Sequence, residues 1–300
     1  MEKNRLNVDI PGSITELQLV IKEFEIKAKL YRNLFRGKGL EFDGYQTYYP
    51  KDDAASIDWK ASVRANKLLM KHYKEERNLK IIFAVDVSEH MVFGSTAKLK
   101  CEYATEVLTS LAYLIISSGD NIGFILFNDK VLDYVMPSKG LKQFELFADA
   151  LSNARNYGGK SDINNVIKFI LNYLDESTSA VILLSDFIKL KEDAKENFKI
   201  LSKKFEVMAL MVKDPLDKTL PDISAEVVIE DPLSGGQMLI NPKLAKKSYE
   251  KYALEQENLV KKIFTEANID LLSLMTDKLF VPALAEFLRG RVKRKSRLIS

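Results

Sequence analysis

The sequence predicts a doubly wound α/β fold: a mostly parallel sheet with helices on both faces and one antiparallel edge strand. Three observations predict it. Ile81, Ile82, Phe83, Ala84 and Val85 form an unbroken apolar run, which a strand covered on both faces requires. Short apolar runs recur at 122–127, 181–184, 207–212 and 269–274, with helical patterns among them. Asn128-Asp129-Lys130 then turns the second run back into 131–136, a hairpin that adds an antiparallel edge.

The elements follow in chain order. Ser13-Ile14-Thr15-Glu16 reads as a capping box. Leu17, Val20, Ile21, Phe24, Ala28, Tyr31 and Phe35 then recur at helical spacing, so an N-terminal amphipathic helix runs to about Gly37 and packs on its own chain. Residues 37–77 are rich in Gly, Tyr, Asp and Lys and hold the single tryptophan, Trp59. They read as an extended flap, too short to bury a core of its own, with a short strand at 67–73. After the first core strand, Cys101, Ala104, Leu108, Leu111 and Ile115 form a helical stripe, which makes Cys101 a small core residue. Helices follow at 140–154 and 163–174, two extended pieces at 224–241, a long helix at 243–267 and a final helix at 277–289. The organisation is therefore a helix and flap over 1–77, the α/β domain over 78–290 and a basic tail over 291–300.

Composition bounds the function. Net charge is +3, from 45 basic and 42 acidic residues, too balanced for nucleic acid as the main partner. The basic residues from Arg289 to Arg297 outnumber that surplus, and the tail they form reads as solvated, with an acidic partner or a membrane surface as its peripheral contact. The lone Cys101 excludes an internal disulfide and a cysteine-based zinc site. No signal-peptide core opens the sequence, and no apolar run nears the roughly 20 residues of a membrane span, so the expected location is the cytoplasm.

Candidate site residues lie at strand tips. Asp86 ends the first core strand, Ser88 follows two residues on, and Asp186 ends the fourth strand when the edge strand is counted. In a doubly wound sheet the first and fourth strands are neighbours where the winding reverses, so both carboxylates face one crevice. Asp86 and Ser88, a later Ser161 or Asp162 in Gly158-Gly159-Lys160-Ser161-Asp162, and Asp186 together resemble the metal-ion-dependent adhesion site of von Willebrand A domains.

The flanking motifs are more specific. GKGLEF (37–42), YYPKDD (48–53), IDWKASVR (57–64), KEER (74–77), DVS (86–88), FG (93–94), GDNIG (119–123) and LSDF (184–187) occur in the order of the bacterial family called domain of unknown function 58. The chain is identified as a divergent member, with the resemblance running from about Gly37 to Leu288. It implies a von Willebrand A-like fold, Mg²⁺ held by Asp86, Ser88, Ser161 or Asp162 and Asp186, and partnership with a MoxR-type AAA+ ATPase. The departures are specific. His90 stands where the motif has its second serine, and imidazole suits zinc, nickel or iron better than magnesium. Gln46, Lys51 and Ala55 replace other family residues.

A Mg²⁺ ion wants about six oxygens and keeps several waters, so such a site is an incomplete cage that a partner's carboxylate completes. The expected function is a non-catalytic interaction module with a degenerate adhesion site, working with that ATPase in a chaperone-like assembly on a client protein. The alternatives are a metal-free paralogue binding through residues 1–77, and a metal-dependent phosphohydrolase with Asp86 as nucleophile. The second lacks an Asp-x-Asp, because Ser88 holds the second position. Neither Gly37-Lys38-Gly39 nor Gly158-Gly159-Lys160-Ser161 has the spacing of a phosphate-binding P-loop.

Overall fold

The computed structural model describes residues 4–23, 40–49, 52, 56–75, 79–230 and 235–297. Its central sheet contains β3 (Lys80–Asp86), β4 (Asn121–Phe127), β5 (Val131–Ser138), β6 (Ala180–Ser185), β7 (Glu206–Lys213) and β10 (Asp270–Met275), in spatial order β10-β7-β6-β3-β4-β5. Only β5 runs antiparallel, paired to β4. The winding reverses at β3, which lies between β6 and β4, as the doubly wound expectation requires. Gly123 of the GDNIG motif sits where β4 meets β5: a Cβ there would come within 2.6 Å of the Val135 carbonyl oxygen, so only glycine permits this pairing.

The apolar run of β3 is buried on both faces because alternate residues enter different cores. Ile81, Phe83 and Val85 join a core with Leu17, Phe124 and Phe147, built against α3 (Lys100–Ser117), α4 (Leu141–Ser152) and α8 (Phe280–Arg297). Ile82 and Ala84 join the opposite core, with residues of α5 (Ile163–Tyr173), α6 (Lys195–Lys204) and α7 (Pro242–Glu266). The fold class is therefore as the sequence predicts. Helix α6 was not legible, because in KENFKILSKK only Phe198 and Leu201 are buried.

Helix α1 (Ile10–Glu23) starts three residues before the capping box the sequence suggests. The Asp9 carboxylate accepts from the Gly12 amide at 3.0 Å, and Pro11 is tolerated in the first turn, where its missing donor costs nothing. Leu17 is fully buried, and α1 packs on α3 and α8 of its own chain. The expected continuation of this helix towards Gly37 lies outside the described residues, as do Lys51 and Ala55. The flap contains an antiparallel hairpin of β1 (Leu40–Thr47) and β2 (Leu69–Glu75), joined by a helix the sequence did not predict, α2 (Trp59–Ala65), which Asp58 caps at the Ala61 amide. A second hairpin pairs β8 (Val227–Glu230) with β9 (Gln237–Ile240).

The C-terminal segment differs from the solvated tail expected from residue 291. Helix α8 continues to Arg297, and Arg291 is 1% exposed, ion-paired to Glu206 and Asp270. Counting charges along a sequence cannot distinguish a solvated arginine from one facing two carboxylates at the base of a sheet.

Two core groups carry direct tests. Burial, and then the neighbouring Glu102, push the Cys101 thiol up to about 12. The native protein should therefore be inert to a thiol reagent such as DTNB at pH 8, where only the thiolate reacts, and should react fully once unfolded. Rapid native labelling would refute the packing given to α3. Glu257 is held down to about 2: burial opposes this, but donation from Lys261 and Lys213 outweighs it. A depressed carboxyl stabilises the fold above its unfolded pKa and loses that contribution as pH falls through the folded one. The stability gap between wild type and Glu257→Gln should be constant above about pH 5 and close between the unfolded value of 4.5 and about 2, as read by urea unfolding at a series of pH values.

Candidate functional site: the carboxyl-end crevice

The neighbouring strands β3 and β6 bring Asp86, Ser88, Ser185 and Asp186 together at the switch point. All four are nearly inaccessible to solvent. Asp86 Oδ1 accepts from the Ser88 amide at 2.9 Å, the ordinary closure of an Asx turn. Its Oδ2 accepts from Ser185 Oγ at 2.7 Å and from Ser161 Oγ at 3.0 Å. Burial, reinforced by the charge of Asp186, raises the Asp86 carboxyl above the usual range. The loop that delivers Ser161 is held against the strand tip. The Gly158 amide donates to the Val87 carbonyl, the Glu89 amide donates to the Gly159 carbonyl, and Asn128 Nδ2 donates to the Gly158 carbonyl. Gly159 has φ +80°, and a Cβ there would lie 2.7 Å from Asn128 Nδ2, so this close approach needs glycine.

Beyond Asp186 the chain turns sharply. Phe187 has φ 55°, uncommon for a bulky residue, and its amide donates to Ser185 Oγ at 3.1 Å. Its buried ring meets Phe264 edge-on at 5.0 Å, which holds the turn in place. Asp186 therefore faces away from Ser185: its Oδ1 accepts from the Ile188 amide, and its Oδ2 accepts from Lys100 Nζ at 2.7 Å. Lys100, the first residue of α3, also pairs with Asp217 at 3.2 Å. Next to it, Asp214 accepts from the Ser95 amide and hydroxyl, the Leu216 amide and Thr276 Oγ. Burial opposes ionisation of Asp214, but these donors, Ser95 foremost, hold its carboxyl below the usual range.

Of the residues named from the sequence, Asp86, Ser88 and Ser161 meet at the carboxyl end of β3, and Asp186 lies at the end of the neighbouring β6 with its carboxylate turned to Lys100. Asp162 does not join them: it is exposed, and its carboxylate accepts from the Asn164 amide to cap α5. His90 lies in a short 3₁₀ turn, Glu89–Val92, with a buried Nε2 that has no hydrogen-bond partner. Sequence reasoning missed Ser185, Lys100, Asp214 and Asp217. Lys100 did leave a trace, since a lysine at a helix N-terminus opposes the helix dipole and needs a carboxylate nearby.

The resemblance implies a divalent ion here, so the donor set can be tested against one. In favour of it, the Ser88 hydroxyl is fully buried beside Asp86 with no partner aligned for a hydrogen bond. Against it, Asp186 is occupied by an ammonium, Asp162 caps a helix, and an imidazole stands in the third position. Among the described residues, no group of three or more His, Cys, Asp or Glu side chains is placed to hold a metal ion. One carboxylate and a few hydroxyls remain, a set that does not fit a resident Mg²⁺.

The unequal roles of the two serines are testable. Ser185→Ala removes a donor to buried Asp86 and an acceptor for the Phe187 amide, and should cost about 1–3 kcal/mol. Ser88→Ala removes a hydroxyl that makes only a poorly aligned contact with Asp86, and should cost less than Ser185→Ala, no more than about 0.5 kcal/mol. Urea unfolding of both variants checks the pair.

Comparison with known proteins agrees with this architecture. Uncharacterized protein Rv1480 of Mycobacterium tuberculosis is 23% identical over 298 residues, covering 96% of this chain and 92% of that protein. Uncharacterized protein Mb1516 of Mycobacterium bovis matches equally. Among solved structures, the conserved hypothetical protein BatB from Bacteroides thetaiotaomicron superposes with a TM-score of 0.51 at 16% identity, covering 72% of this chain and all of that one. That likeness shows a shared fold. The Rpn10 VWA domain aligns with 69% of this chain at a TM-score of 0.39. The family described as protein of unknown function DUF58 matches residues 44–259, most of the flap and most of the sheet with its crevice, and this chain belongs to that family.

Proposed function

We propose that this chain is a non-catalytic protein-interaction module that presents the carboxyl-end crevice of its sheet to a partner protein, a MoxR-type AAA+ ATPase, in the cytoplasm. The observation that carries the reading is the convergence of Asp86, Ser88, Ser161 and Ser185 at the switch point, where open α/β sheets bind their ligands. Asp86 is 1% exposed and held by three donors, an arrangement that suits a scaffold rather than a nucleophile.

A second reading places the contact on the flap, and a specific observation favours it. Trp59 and Val63, one helical turn apart on α2, are 65% and 81% exposed. Exposed aromatic and apolar side chains sharing a face are what a docking surface offers.

A tagged-protein pull-down from native lysate, with bound proteins identified by mass spectrometry, separates the two. Wild type, Asp86→Ala and Trp59→Ser are each run with Mg²⁺ and with chelator. Retention of an AAA+ ATPase by wild type and Trp59→Ser but not by Asp86→Ala supports the crevice. Its loss from Trp59→Ser alone supports the flap. Retention of no ATPase by wild type overturns the partnership. Hydrolysis of a generic phosphate ester that Asp86→Ala abolishes would overturn the non-catalytic reading.

A further inference from the structure

The misfit between the crevice and a divalent ion has a structural origin. Lys100 is 1% exposed, although its long side chain starts from the first residue of a helix. An ammonium removed from water at the positive end of a helix dipole is doubly disfavoured unless fixed negative charge surrounds it. That charge is present. Asp186 Oδ2 lies 2.7 Å from Nζ, Asp217 Oδ2 lies at 3.2 Å, and the ring of Phe93 lies 5.7 Å away, within cation–π range.

The arrangement is braced from several directions. The Lys100 amide donates to the Phe93 carbonyl at 2.9 Å, closing the loop over 93–100. Ser95 in that loop ties it to Asp214, and the Asp214 amide donates to Asp217 Oδ2 at 2.8 Å. The two carboxylates are thus aimed at one point by backbone amides, at Ile188 for Asp186 and at Asp214 for Asp217. Two carboxylates within 3.2 Å of one ammonium supply more negative charge than it carries, so Lys100 is paired on both sides.

We infer that the Lys100 ammonium is the built-in cation of this crevice, clamped between Asp186 and Asp217, and takes the electrostatic place that a divalent ion would otherwise hold. A metal ion near Asp186 would face a fixed positive charge at hydrogen-bonding distance from its own ligand, in a site with little water to screen it. The crevice is then assembled permanently, and metal availability does not switch it. This inference concerns the cation alone and stands whether the partner contacts the crevice or the flap.

Mn²⁺ binding followed by electron paramagnetic resonance, together with thermal unfolding in Mg²⁺ or chelator, tests it on the full chain. Wild type should show no specific Mn²⁺ binding up to about millimolar concentration, the weak end of oxygen-ligand sites, and no change in Tm between Mg²⁺ and chelator. Lys100→Met keeps the side-chain length and removes the charge. It should have a lower Tm in chelator and recover several degrees, saturably, with Mg²⁺, because a ligand bound only by the folded state stabilises it. Lys100→Met/Asp217→Asn removes one charge of each sign and keeps the balance if the single variant does not fold; it too should acquire Mn²⁺ binding. Specific Mn²⁺ binding by wild type that Asp86→Ala abolishes overturns the inference. So does a folded variant without Lys100 that acquires no metal affinity.

Discussion

Phe147→Ala is expected to lower the free energy of unfolding by about 3–5 kcal/mol, the range for deleting a fully buried phenyl ring from a core that relaxes only partly. Phe147 has no solvent exposure. Its ring lies 4.8 Å from that of Phe83 and 5.3 Å from that of Phe124, so α4 is fastened to the two central strands through one aromatic cluster. The loss has two parts, the transfer of the ring to water and the cavity it leaves. Phe147→Leu keeps most of the volume and should cost distinctly less. Equilibrium urea unfolding with an unchanged m-value checks both, and equal losses for the two variants would show that the cavity is not the cause.

Arg291→Ala should cost about 3–5 kcal/mol for a different reason: it leaves two carboxylates facing the vacated site. The Arg291 side chain is 1% exposed, whereas Glu206 and Asp270 are 24% and 29% exposed, so water relieves part of the penalty and the lower half of that range is expected. The guanidinium ties α8 to the amino ends of β7 and β10, where Glu206 is the first residue of one strand and Asp270 of the other. Neutralising the partners separates charge from packing. Arg291→Met combined with Glu206→Gln and Asp270→Asn should recover much of the loss, because a buried ion pair replaced by neutral groups of similar volume is often tolerated. If the triple variant is no more stable than Arg291→Ala, the contribution is packing by the arginine stem and not charge.

These two variants mark the extremes of what the sequence shows. Phe147 sits on a helix whose period is readable, and its burial follows from the pattern. Arg291 reads as one basic residue among several. The same contrast runs through the crevice. Asp86 and Asp186 were legible because each follows an apolar run, and a strand's end is visible wherever such a run stops. Ser161 was legible only through the family resemblance, which left Ser161 or Asp162 as the matching position. Lys100 and Asp217 were not, since 117 residues separate partners that lie 3.2 Å apart. Asp162 was offered by that resemblance as the alternative to Ser161, yet consecutive residues at a helix start point different ways, and its carboxylate went to the cap.

Local patterning thus determined the α/β class, the antiparallel edge at β5, the neighbouring of β3 and β6, and the placement of Asp86, Ser88 and Asp186 at the carboxyl ends of those two strands. It did so because apolar periodicity and turn chemistry act within a few residues, and topology rules then leave few ways to assemble the strands. Only the tertiary structure decided how charge is arranged there: which carboxylate meets an ammonium, which caps a helix, and which arginine is buried. Those choices depend on distances of a few ångströms between residues far apart in the chain, and burial multiplies the energy of each of them.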